Sequence, residues 1–188
     1  AMTNGTLSPN GKYFAAMVPA TGANCSISDE EEDQSPRVLL VIDLETNTPH
    51  VLSGTRSGSK IVWFQWISNS RIAFYRDAQT GLDAYSLWAI NIDGTKPKLL
   101  VEGKIEDGYA TGANIMDTMD DDENHVLVSY NYRRPTVNDV YKLNVFSGKL
   151  TMVAKDTMKD GRLNTGWEVD QQGNVRGYTA LKGLYRYL

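Results

Sequence analysis

Acidic residues concentrate in two places along the chain, and oxygen-rich clusters of that kind are what a hard cation or an ammonium group would need. Asp29-Glu30-Glu31-Glu32-Asp33 forms one run, and Asp117, Asp120, Asp121, Asp122 and Glu123 form the other. The second group fails the EF-hand pattern: counting from Asp117, Asp122 stands where glycine is required and Val128 where a bidentate glutamate is required. Acids at that density next to Asn124 read better as a turn capped by side-chain oxygens. The first run reads as a solvated loop, because like charges repel and stay hydrated.

Acid–base and nucleophilic chemistry have little to work with. His50 and His125 are the two histidines and Cys25 is the one cysteine, which excludes a histidine-rich or multi-cysteine metal centre and an intrachain disulfide. His125 follows an acidic turn and precedes a strand, with no partner motif for a triad in view. His50 sits beside Pro49 in a strand connection, and nothing in Gly22 to Ser26 would lower the thiol pKa of Cys25. A G-x-S-x-G nucleophile elbow is absent, since Gly54-Thr55-Arg56-Ser57-Gly58 has its serine one position late. We therefore expect no catalytic residue, no metal and no cofactor in this protein. Arg133 and Arg134, behind Tyr130 and Tyr132 at a strand end, are the candidate rim contacts for a carboxylate or a neighbouring domain. Trp63, Trp66, Trp88 and Trp167 would make an aromatic platform, or pack between repeats, which their recurrence on strand-like segments favours.

The elements that must position these residues are all strands. In 188 residues, 41% hydrophobic and 22% charged, no segment sustains a helical apolar spacing. A turn leading into a short alternating strand recurs as Ser8-Pro9-Asn10-Gly11-Lys12, Ser68-Asn69-Ser70-Arg71, Asp121-Asp122-Glu123-Asn124 and Gln171-Gln172-Gly173-Asn174. A later strand ending in a polar turn recurs around Leu44, Ile92 and Val145, 48 and 53 residues apart. Asp93-Gly94 and Ser147-Gly148 are hairpin pairs in which glycine supplies positive φ. A unit of about 50 residues with four short antiparallel strands is a propeller blade. The expected fold is all-β, one partial β-propeller of about three and a half blades at residues 7–54, 59–103, 108–155 and a half blade at 160–188.

Leu7 to Ala16, Val62 to Ile72 and Leu87 to Gly94 resemble the N-terminal propeller of prolyl oligopeptidase family serine peptidases, and Met116 to Val128 and Asp170 to Arg176 are similar to the same region of bacterial members. The resemblance implies a propeller that covers an active site and selects peptides by size, with the nucleophile on a C-terminal α/β-hydrolase domain that this sequence lacks. It also implies a periplasmic or secreted parent, although no signal segment opens the sequence. Some dipeptidyl peptidases of that family bind a substrate's amino terminus with a propeller glutamate pair, a role open to the Asp29–Asp33 run. Because the sequence stops inside an apparent strand at Tyr185 to Leu188, we expect it to be part of a longer propeller, with unpaired edges able to recruit a second copy. The alternative is a stand-alone TolB-like propeller module for protein–protein binding. A net charge of −4 argues against nucleic acid as a partner, and apolar runs as short as Val38 to Ile42 are far below the about 20 residues of a membrane span.

Overall fold

The structure is a computed structural model that describes residues 3–19, 37–53, 60–77, 84–157, 163–170, 172–183 and 185–187. Four antiparallel meanders follow one another in sequence. The first sheet is β1 (Thr3–Leu7), β2 (Tyr13–Pro19), β3 (Arg37–Asp43) and β4 (Thr48–Ser53); the second is β5 (Ile61–Ser68), β6 (Arg71–Asp77), β7 (Tyr85–Asn91) and β8 (Lys98–Val101). A small hairpin of β9 (Lys104–Glu106) and β10 (Tyr109–Thr111) intervenes. The third sheet is β11 (Ala113–Asp117), β12 (His125–Arg134), β13 (Val137–Asn144) and β14 (Leu150–Ala154), and the fourth is β15 (Leu163–Val169), β16 (Val175–Lys182) and β17 (Tyr185–Tyr187). The described residues contain no helix. They form an all-β partial propeller of three four-stranded blades and one three-stranded blade.

The period of two along a strand explains why such sheets stack. On β6, Ile72 and Phe74 join Ala15, Met17, Leu39 and Val41 of the first sheet in one core. Ala73, between them, faces the other way, into a core shared with Val126, Val128, Tyr141 and Leu143 of the third sheet. The middle strands are therefore apolar on both faces, so β2, β6 and β12 run as short, largely continuous apolar stretches and not as the alternating strands expected after the marker turns. Each fully buried side group such as Phe74, Leu87 or Leu143 contributes about 1.5–3 kcal/mol.

The repeat recognised in sequence recurs as one hydrogen bond. The backbone N–H just after the third strand donates to the carbonyl just before the second: Leu44 to Lys12 at 3.0 Å, Ile92 to Ser70 at 3.0 Å and Val145 to Asn124 at 2.9 Å. The hairpins that follow are closed by side-chain oxygens, Asp43 Oδ1 accepting from the Glu45 and Thr46 amides and Asn144 Oδ1 from those of Phe146 and Ser147. Gly94 and Gly148 take φ of 80° and 78° there, a region costly for any residue bearing a Cβ. His50 lies within the outer strand β4, opposite Val41, and not in a connection; Pro49 is tolerated beside it because an edge strand can spare a donor.

Candidate functional site

The first strand of each sheet is hydrogen-bonded on one side only, and the cavities lie along these strands. Between β1 and β5 a cavity of about 400 Å³ is lined by Asn4 to Leu7 and Trp63 to Trp66. Between β5 and β11 a second, about 370 Å³, has Val62, Trp63, Gln65, Tyr75, Tyr85, Asn114 and Ile115 on its walls. Between the third and fourth sheets a third, about 510 Å³, is lined by Met116, Asp117, Ser129, Asn138 and residues 164–169. Together they offer amide, hydroxyl and aromatic groups, and the third adds the carboxylates of Asp117 and Glu168, a mix of apolar walls and a few polar groups suited to binding.

Arg133 and Arg134 part company in the structure. The Arg133 guanidinium donates through Nε and Nη2 to both carboxylate oxygens of Asp139, at 2.8 and 2.9 Å, and through Nη2 to the Asp156 carbonyl at 3.0 Å. Asp139 is wholly buried and also accepts from the Asp156 amide. Burial alone would raise its pKa, but the Arg133 and Asp156 bonds outweigh that and hold it below the ordinary carboxylate value. The pair is thus spent on fixing the β12–β13 hairpin, while Arg134 is exposed beside it. The Arg-x₅-Asp spacing across a hairpin was the sequence signal for this pairing.

His125 opens β12 with Nδ1 at 2.9 and 3.0 Å from the Asp122 carboxylate and with Asn144 Nδ2 3.2 Å from Nε2. This places the ring proton on Nδ1 and turns Nε2, the nitrogen a catalytic imidazole would offer a nucleophile, toward an amide donor. Lys142 Nζ lies 2.7 Å from the same carboxylate, and the Lys142 and His125 bonds pull the Asp122 pKa down to about 2. Asp117 Oδ1 accepts from the Met119 amide and Asp122 Oδ1 from that of Asn124, so these two acids cap turns. Among the described residues no three histidine, cysteine, aspartate or glutamate side groups gather around a common point.

The tryptophans take different roles. Trp66 and Trp167 tie sheets together, Trp66 Nε1 donating to the Thr6 carbonyl at 3.4 Å and Trp167 Nε1 to the Asn138 carbonyl at 2.9 Å. Trp88 stacks on Phe74. Trp63 departs from this packing role: it is 49% exposed and forms a wall of two cavities. The Asp29–Asp33 run, Cys25 and the Gly54–Gly58 segment lie outside the described residues.

Sequence reasoning missed Arg71, which is 0% exposed. It donates to the Val145 carbonyl through Nε at 3.1 Å and Nη2 at 2.9 Å, to Asn91 Oδ1 at 2.6 Å and to the Lys96 carbonyl at 3.1 Å, and its guanidinium lies 4.5 Å from the centre of the Phe146 ring. Burial pushes its pKa below arginine's ordinary value. Arg71 clasps the second sheet to the third, and because Val145 is 74 residues away no local pattern announces it.

No protein-family model matches the sequence, and no curated protein matches it. Solved structures do match the fold. An oligogalacturonate lyase in complex with manganese superposes with a TM-score of 0.56 at 13% identity, over 90% of this protein and 44% of that one. The β-propeller domain of the Trilobed protease from Pyrococcus furiosus gives 0.50 at 13% identity, over 98% and 55%. Prolyl oligopeptidase B from Galerina marginata gives 0.56 at 10% identity, over 94% and 24%. The sequence spans about half or less of the length of these proteins, and at identities this low the superpositions establish a shared propeller fold alone.

Proposed function

We propose that this protein is the substrate-facing propeller region of a prolyl oligopeptidase-like serine peptidase, admitting and selecting peptides while the chemistry resides on an α/β-hydrolase domain of the parent protein. The observation that carries the reading is the set of cavities along β1, β5, β11 and β15, whose amides suit a peptide backbone and whose aromatics suit its side groups. Two of the structural neighbours described above belong to proteases. Selection would be steric: an extended strand needs about 4.8 Å of width, whereas a folded 100-residue domain has a radius of gyration of about 13 Å.

The test is photo-crosslinking of the protein with benzoylphenylalanine-bearing unstructured peptides of about ten residues, with a folded protein and an oligogalacturonate as competitors. Adducts on the four first strands, displaced by unlabelled peptide only, are the expected result. Adducts on the outer strands β4, β8 and β14 would instead favour the stand-alone binding module, and displacement by oligogalacturonate would overturn the peptide reading.

A further inference from the structure

We propose that the cavity between the third and fourth sheets is a subsite for a cationic residue, lysine or arginine, of a bound peptide; the inference rests on the peptide reading above and names a specificity that reading does not. At about 510 Å³ the cavity is of ligand-binding size. Its charge is one-sided: Asp117 and Glu168 line it, and none of the described lining residues is cationic. The Asp117 carboxylate is tied to the backbone through Oδ1 alone, at the Met119 amide.

A second, independent observation concerns Asn164. Its Oδ1 is used, accepting from the Gly166 amide at 2.9 Å, but its Nδ2 is buried with no acceptor among the described residues. A buried amide donor without a partner is costly and rare; Asn164 lines the cavity, so a small turn of its side chain would present that donor to a ligand carbonyl. Carboxylates for a cation beside a donor for a carbonyl are the complement of a cationic residue presented with its own backbone carbonyl. Trp167 completes the wall, held in place by its bond to the Asn138 carbonyl of the third sheet and by an edge-on contact with Tyr178 at 5.4 Å, so that an alkyl stem or guanidinium would lie against a fixed indole. The same carboxylates would repel a uronate.

The test uses the whole protein and three peptides capped by acetyl and amide groups, identical except for lysine, arginine or norleucine at the centre, with a fourth that has a free N-terminus and no basic residue. Binding is read from the Trp167 indole N–H resonance and by calorimetry. The lysine and arginine peptides are expected to bind at about millimolar Kd or better and to shift that resonance, and norleucine to bind at least about tenfold more weakly. Asp117→Asn, which keeps the turn-capping oxygen, and Glu168→Gln, on an exposed position, should each weaken the cationic peptides about three- to tenfold and leave the norleucine peptide unchanged. Equal binding of norleucine, equal binding of the free-amine peptide, or indifference to both substitutions overturns the subsite while leaving peptide binding intact. Failure of every peptide to bind anywhere on the protein, with an oligogalacturonate binding instead, overturns the peptide reading itself.

Discussion

Replacing Arg71 with methionine should do more damage than its place in a turn suggests. The substitution keeps the volume and removes four hydrogen bonds to three acceptors: the Val145 carbonyl, buried with the 0% exposed Arg71, and the part-buried Asn91 Oδ1 and Lys96 carbonyl. At about 1 kcal/mol per orphaned acceptor, with about 1 kcal/mol more for the contact over Phe146, the loss is about 4 kcal/mol. For a protein of this size the fall in Tm is about 8–16 °C. Because two of the lost bonds, those to Val145, join the second sheet to the third, the unfolding transition should also broaden, as expected when neighbouring units of a stacked array uncouple. Arg71→Lys should recover little, since a point ammonium cannot serve three acceptors set around a planar fork. Thermal and urea unfolding of the wild type and both variants, followed by circular dichroism, decides the matter. A Tm drop below about 3 °C with an unchanged, sharp transition in Arg71→Met would refute the clasp.

Three further outcomes are expected. Asp122 and Asp170 titrate near 2 in the folded protein and Asp139 is held low, against an unfolded value of about 3.9, so their stabilisation is fully present above about pH 4 and is lost as pH falls toward about 2; urea midpoints that stay constant between about pH 4 and pH 2.5 would contradict this, and Asp122→Asn should flatten part of the slope. Gly103→Ala should cost about 2–3 kcal/mol in urea unfolding, because a Cβ there overlaps the Tyr85 carbonyl carbon and oxygen, which are backbone and cannot swing aside; a variant as stable as wild type would show that the two segments are not in close approach. Sedimentation at low micromolar concentration should show species above the 20.9 kDa monomer, through sheet edges such as β4 and β14 that carry exposed Val51, Met152 and Val153; a clean monomer would count against edge pairing.

What the sequence made legible was local. Turn chemistry at Asp93-Gly94 and Ser147-Gly148, and the spacing of Leu44, Ile92 and Val145, are carried by residues a few positions apart, and the structure repeats them as the same hairpins and the same hydrogen bond. The strands that precede each marker turn were harder to see. β1 and β15 mix polar and apolar residues because one of their edges is unpaired and their residues border cavities. Long-range polar contacts were invisible: Arg71 reads as a charged turn residue until Val145 is brought beside it, and Asn164 reads as a polar strand residue until its neighbours fail to satisfy it. Arg133 lay between these extremes, its partner Asp139 being close enough in sequence that a hairpin register would have paired them.

Hydrogen–deuterium exchange of the whole protein, with and without a saturating capped lysine peptide, would show whether peptide is held along the first strands of the sheets. Slower exchange is expected along the first strands β1, β5, β11 and β15, strongest around Asn164, with the outer strands β4, β8 and β14 unchanged. Protection confined to those outer strands, or an exchange pattern identical with and without peptide, would contradict it.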